Sequence, residues 1–289
     1  LLQKVESILK LYPEASIDWF SPHTKAAELR ASEVAIYGYS GWLDAAYQHG
    51  AIKRFRAVRN RGSRLIVGPW DHGGLQNVSP HSPSGKAAFD HGAEMIRFFD
   101  AHLRPTGAPV ADEPPVRYFT IGEERWKEAD DWPPGGARLE RWYLSDGGGL
   151  RPAACATRAG DEYQVDPEVG TGRRSRWDSL LGLLVPVGYS GRATIGKRLL
   201  VYRSPPLETD LEVTGHPLVT LFLASSTHDA TVFVYLEDER PDGQVEYVTE
   251  GQLRALHRRL SSAEPPYPQA GPPRTFTRAD AAPLEPGVV

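Results

Sequence analysis

Val34-Ala35-Ile36-Tyr37-Gly38-Tyr39-Ser40-Gly41-Trp42-Leu43-Asp44 and, further on, Leu65-Ile66-Val67-Gly68-Pro69-Trp70-Asp71-His72-Gly73 decide how this chain is read. Each opens on a short apolar run rich in strand formers. Gly41 stops the first, and Gly68-Pro69 stops the second. Between them, residues 45–60 read as a helix whose Arg/Lys-rich end suits its C-terminal dipole. Ala87 to Leu103 reads as a second helix, with Met95, Ile96, Phe98, Phe99 and Leu103 on its apolar side. Residues 1–10 also have helical spacing. Strand, helix, strand, helix with continuously apolar strands indicates the α/β class, a parallel sheet covered on both faces.

Each glycine-containing turn follows directly on an expected buried strand. In open α/β sheets, functional groups gather at the carboxyl ends of strands. Asp44 and His72 are 28 residues apart, about one strand–helix–strand unit, so adjacent parallel strands place both at the same sheet edge. A carboxylate beside an imidazole fixes its tautomer and leaves the other nitrogen to act as a general base. Spacing alone leaves open an alternative in which Asp44 caps the helix at 45 and His72 is a satisfied loop histidine. Trp42 and Trp70 flank the pair, either as walls of an acyl pocket or as core.

Composition bounds the rest. The chain has 289 residues, 40% of them hydrophobic, enough for two domains with real cores. Its single cysteine, Cys155, excludes an internal disulfide framework and a cysteine-based zinc cluster. No apolar run approaches the ~18 to 20 residues of a membrane helix, and a net charge of −4 argues against a general nucleic-acid binder. Residues 1–110 carry a balance of +3 and residues 111–289 one of −7, with 18 of the 25 prolines in the second part. The seam is Pro-Thr-Gly-Ala-Pro at 105–109.

Past the seam the period changes. Val116–Ile121, Arg141–Leu144, Leu199–Tyr202, Leu218–Ala224, Thr231–Leu236 and Val245–Thr249 are short, β-rich and punctuated by Pro, Gly and Asp, as in an antiparallel sandwich. No closing strand is visible after Ser261, so the sandwich reads as incomplete, with an open edge. The spacing of His72, His81, His91 and His102 matches no compact metal site. Arg173, Arg174 and Arg176 read as a solvated loop. Gly191 to Arg198 nearly spells a phosphate-binding loop, but Arg198 stands where a hydroxyl would hold magnesium.

Gly41-Trp42-Leu43-Asp44 followed by Gly68-Pro69-Trp70-Asp71-His72-Gly73 resembles the acid and base segments of the CocE/NonD hydrolases. That family groups cocaine esterase, α-amino acid ester hydrolases, glutaryl acylases and X-Pro dipeptidyl-peptidases. The resemblance continues through Arg97-Phe98-Phe99-Asp100-Ala101-His102-Leu103, Glu113-Pro114-Pro115-Val116-Arg117, Asp131-Trp132-Pro133-Pro134, Gly215-His216-Pro217 and Glu250-Gly251-Gln252-Leu253-Arg254. It implies the C-terminal portion of an α/β-hydrolase domain at 1–110, then a truncated jelly-roll (galactose-binding-like) β-sandwich at 111–289. It implies Asp44 as triad acid, His72 as base, and Trp42, Leu43 and Trp70 as substrate-binding residues.

The resemblance also implies a serine nucleophile upstream of the acid. Gly38-Tyr39-Ser40-Gly41-Trp42 and Gly188-Tyr189-Ser190-Gly191-Arg192 both fail the G-x-S-x-G pattern at the last glycine. The expectation is therefore part of a serine hydrolase, inactive on its own, that needs no cofactor or metal. Its partner is a small-molecule ester or amide substrate, not nucleic acid or membrane, with a homo-oligomer through the sandwich as a further expectation. Dipeptidyl-peptidase activity and a non-enzymatic carbohydrate- or protein-binding module are the alternatives. Two positions depart from the family pattern. Leu43 stands where relatives often have an aromatic. Asp71 stands where a hydroxyl or small residue is common, either as a solvated loop carboxylate or as a charge favouring protonated His72.

Overall fold

A computed structural model of the chain describes residues 21–82, 88–104, 110, 112–156, 160–172, 174–180, 187–265 and 267–289. The helix expected over 1–10 and the seam at 105–109 lie outside the described residues. After a short helix α1 (Ala26–Ala31) come strand β1 (Tyr37–Gly41), helix α2 (Tyr47–Val58) and strand β2 (Arg64–Gly68). Helix α3 (His91–Leu103) and strands β3 (Val116–Thr120) and β4 (Arg125–Ala129) follow. The sheet order is β1-β2-β3-β4. β1 and β2 run parallel with Tyr37 opposite Arg64 and Gly41 opposite Gly68. β2 and β3 are also parallel, and β4 returns antiparallel on β3.

All five residues of β2 are buried. A central parallel strand covered on both faces must be apolar throughout, which is why Leu65-Ile66-Val67 shows no alternation. Helix α2 buries Gln48, Ala51, Ile52, Phe55 and Val58, one stripe at helical spacing. Ala51, Ile52 and Phe55 meet Leu65, Val67, Val116, Tyr118 and Trp132 in a single core cluster. The helix ends where Arg59 turns left-handed, at φ 48, and returns its amide to the Phe55 carbonyl.

Three expectations change. The sheet and its core do not stop at the expected seam: β3, β4 and Trp132 come after residue 110 yet belong to the α/β sheet, so Val116–Ile121 is not a sandwich strand. Helix α3 starts at His91, where Asp90 caps it by accepting from the Ala93 amide at 2.8 Å. Of the apolar set assigned to its inner side, only Phe98 is buried, while Ile96 and Leu103 are 61% and 75% exposed. The helix instead turns Glu94 and Phe98 inward, one turn apart, because the Glu94 carboxylate accepts from the Tyr37 hydroxyl and pairs with Arg97.

Beyond residue 130 the described strands form two separate antiparallel pairs, β5 (Tyr143–Ser145) with β6 (Gly149–Arg151), and β7 (Thr231–Glu239) with β8 (Val245–Arg254). A five-residue helix, α4 (Arg192–Gly196), occupies the near-phosphate-loop segment. Leu218–Ala224, expected as a strand, makes no ladder among the described residues, and Phe222 is 90% exposed. Apolar alternation marks the segment, but a strand also needs a neighbour for its backbone groups.

Candidate active site

The site forms where β1 and β2 end. Gly41 and Gly68 face each other there, and both must be glycine. A Cβ on Gly41 would lie 2.1 Å from the Trp70 carbonyl oxygen, and one on Gly68 would lie 2.5 Å from the Trp70 ring. Without those Cβ atoms the two departing chains zip together. The Trp42 amide donates to the Gly68 carbonyl at 2.9 Å, and the Leu43 amide to the Trp70 carbonyl at 3.1 Å. Asp44 and His72, one and two residues further on, are thereby brought side by side.

The Asp44 Oδ1 lies 2.8 Å from the His72 Nδ1. An ionised carboxylate only accepts, so Nδ1 carries the proton and Nε2 keeps its lone pair. The Ser40 hydroxyl donates to the second oxygen of Asp44 at 3.1 Å, which holds the carboxylate in plane. The Tyr47 ring stacks on the His72 ring at 5.3 Å and 22°. No hydrogen bond among the described residues engages His72 Nε2. The His72 side chain is 34% exposed and that of Asp44 13%: the base reaches solvent while its partner is covered. Such an imidazole can take a proton at Nε2 and share the resulting charge with Asp44. The helix-cap role left open for Asp44 is not realised, since α2 begins after Ala46 with no side-chain cap.

The three flanking residues are in packing positions. Trp70 is 2% exposed, stacked on Tyr39 and edge-on to His91. Trp42 packs on the main core and donates its indole N–H to the Phe119 carbonyl at 2.7 Å. Leu43 is 8% exposed in a second cluster with Val78 and Val187, against Tyr189 and Tyr247. Trp42 and Trp70 therefore serve as core around the site, and Leu43 ties its turn to the β-rich part.

Asp71 is not the solvated loop carboxylate of the sequence reading. It is 1% exposed, and neither carboxylate oxygen has a hydrogen bond of normal geometry. Only its own amide and that of Val187 lean toward it. Burial pushes its carboxyl up to about 6, and the nearby Asp44 charge adds to the rise. Arg176, also expected in a solvated loop, is buried and pairs with Glu250 at 3.2 Å.

The four histidines whose spacing was read for a metal site, His72, His81, His91 and His102, scatter rather than converge. His72 meets Asp44, His81 meets Glu246 of β8 at 3.0 Å, and His102 lies against Phe98. His91 joins Tyr39 and the Gly74 carbonyl. Sequence reasoning missed Ser40, Tyr47 and His91. Ser40 and Tyr47 sit four residues before and three after Asp44, the only signal that pointed to them. His91 had none.

Comparison with known proteins places the chain among relatives. The X-Pro dipeptidyl-peptidase (S15 family) matches residues 12–74, and the X-Pro dipeptidyl-peptidase C-terminal non-catalytic domain matches residues 108–289. A protein of Mycobacterium bovis named as a serine esterase is 49% identical over 287 residues, 99% of this chain and 46% of that protein. Cocaine esterase of a Rhodococcus species is 32% identical over 239 residues, 76% of this chain and 40% of the relative. The chain thus spans less than half the length of these relatives. Among solved structures, an aminopeptidase from a marine-sediment Thaumarchaeota archaeon aligns with a TM-score of 0.63 at 25% identity, over 88% of this chain and 43% of the other. An α-amino acid ester hydrolase shares the fold at a TM-score of 0.64 and 22% identity, over 99% of this chain and 49% of its own. The chain belongs to the CocE/NonD family of α/β-hydrolases, which includes serine esterases and X-Pro dipeptidyl-peptidases.

Proposed function

We propose that this chain supplies the acid and base of a serine hydrolase that cleaves acyl ester or amide bonds through an acyl-enzyme. His72 takes the proton of an attacking serine at Nε2 and returns it to the leaving group. Asp44 holds the Nδ1–H tautomer and balances the imidazolium. The observation that carries this reading is the 2.8 Å Asp44–His72 hydrogen bond with Nε2 directed away from it. The serine and the oxyanion donors come from sequence beyond these 289 residues. Ser40, the serine beside the acid, is 4% exposed and donates to Asp44 instead. The substrate is a small ester or amide rather than nucleic acid or a membrane, and no metal or cofactor enters the reaction. In this reading the part of residues 111–289 beyond β4 supplies the jelly-roll module, and self-association would run through it.

The test is to incubate the purified chain with p-nitrophenyl acetate and a fluorophosphonate probe. No burst and no labelled serine is the expected result. A labelled serine within residues 1–289 would overturn the placement of the nucleophile. In a protein that joins this chain to the remaining length of its mycobacterial relative, His72→Ala should abolish both reactions. A second reading, release of X-Pro dipeptides, is favoured by the match of residues 12–74 to the dipeptidyl-peptidase family. Turnover of an X-Pro p-nitroanilide in preference to simple esters would select it.

A further inference from the structure

We propose that His91 is the positioning residue for the base: its ring, gripped by Tyr39 of β1, holds the Gly74 carbonyl and so fixes the loop that presents His72 to Asp44. This deepens the reading of Asp44 and His72 as acid and base, and rests on it.

The His72 loop leaves β2 at Gly68 and returns at Val78. Its base is closed by the Val78 amide donating to the Pro69 carbonyl at 2.8 Å and by a bridge between Trp70 and Asn77. Between those ties the loop turns through Gly73 and Gly74, both at positive φ, 93° and 70°. Only glycine takes such angles without strain, and within the turn the Gly74 amide donates to the Asp71 carbonyl at 3.2 Å. From outside the loop, His91 bonds it there: its Nε2 lies 2.7 Å from the Gly74 carbonyl oxygen.

A carbonyl can only accept, so Nε2 of His91 carries the proton and Nδ1 is the acceptor. The Tyr39 hydroxyl bonds that Nδ1. Burial and the nearby Glu94 charge raise the Tyr39 hydroxyl well above its ordinary range, so it stays a donor. The Gly74 carbonyl thus fixes the tautomer of His91, and the Tyr39 hydroxyl donates to the nitrogen left free. A Cβ on Gly74 would come within 3.1 Å of the His91 ring, which shows how closely the two are fitted. Tyr39 and Ser40 are consecutive on β1 and point to opposite faces. Ser40 holds Asp44 directly, and Tyr39 holds His72 through His91 and Gly74. One strand therefore sets both members of the pair.

His91 also contacts the Trp70 and Phe89 rings at 4.5 and 5.2 Å, and packing alone is the rival account. His91→Phe keeps the ring and removes the donor, whereas His91→Gln keeps a donor and loses the ring. The readouts on the chain are the low-field Nδ1 proton resonance of His72 and amide exchange over residues 70–78. In H91F the resonance should broaden or vanish, and exchange should rise by about tenfold, the share of one net hydrogen bond. H91Q should restore most of both. If H91F leaves both unchanged, or if H91Q behaves like H91F, the proposal is overturned. Should H91F not fold, Y39F decides, because it removes the hydroxyl that holds the His91 ring: raised exchange over 70–78 supports the proposal, and unchanged exchange overturns it. D44N separates the two levels. It should remove the resonance while leaving loop exchange protected; a resonance that survives D44N defeats the acid–base reading instead.

Discussion

Gly41 and Trp70 approach so closely that the pro-side-chain position of the glycine lies 2.1 Å from the tryptophan carbonyl oxygen. The contact joins the turn after β1 to the turn after β2, and it sets how near Asp44 can come to His72. Gly41→Ala puts a methyl group against the Trp70 backbone, where no rotamer change relieves it. Overpacking and backbone shift cost about 1–3 kcal/mol, and the Asp44–His72 hydrogen bond should lengthen as the turns part. Urea unfolding and the His72 Nδ1 proton resonance check this. A G41A chain with unaltered midpoint and resonance would contradict it.

Ser40 and Asp44 should separate cleanly by mutation in the extended protein described above. Asp44→Asn presents an amide N–H or a weaker acceptor to Nδ1, so the imidazole loses its preferred tautomer and its counter-charge. The expected fall in kcat is roughly 10⁴-fold, with KM little changed. Ser40→Ala removes one hydrogen bond to the acid and leaves the tautomer intact, so its fall should stay within about tenfold. Equal losses in the two variants would argue that the carboxylate is not what orients His72.

Asp71 gives the chain a pH signature. Its folded value of about 6 stands above the usual carboxylate value of 3.8. The folded state therefore holds this proton over a window in which the unfolded chain has released it. The stability from that difference is fully present below about pH 4 and is lost as pH rises through about 6, on the order of 2–3 kcal/mol in total. Asp71→Asn buries no charge, so its urea midpoint should fall less than that of the parent between pH 4.5 and 7.5, leaving the variant the more stable at neutral pH. Parallel curves for the two proteins across that interval would sink this assignment.

How much of this was legible beforehand follows from which forces act locally. The β1–α2–β2 unit was readable because an apolar run closed by Gly41 or Gly68 and an amphipathic stripe from Gln48 to Val58 are local patterns. The 28-residue interval between Asp44 and His72 then placed them on one edge. Helix α3 was readable as a helix but not in its orientation. Its inward face is chosen by the Tyr37 hydroxyl donating to Glu94, a partner 57 residues away in sequence. The same holds for Leu43 and Asp71, which lie against Val187. Nothing near residue 43 or 71 announces that a segment more than 100 residues away covers them.

That cover has a buried ionic anchor, and the last prediction concerns it. Arg176 Nε meets Glu250 Oε1 at 3.2 Å with both side chains at most 5% exposed. The Trp177 indole donates to the same oxygen at 2.6 Å, and Arg176 also reaches the Glu250 carbonyl. Tyr189, which accepts from the Arg176 amide, stacks on Tyr247 at 3.6 Å beside Leu43. Two desolvated charges cost much of what their attraction returns, so the pair as a unit adds little. Removing one partner is different, because the other charge is stranded. Arg176→Leu should destabilise the chain by about 3–5 kcal/mol, whereas Arg176→Leu with Glu250→Leu should recover most of that loss. Because the anchor sits behind Leu43, the single variant should also loosen the turn that carries Asp44, seen as faster amide exchange over residues 41–46. A double variant no more stable than the single would show that the pair contributes through packing rather than through charge.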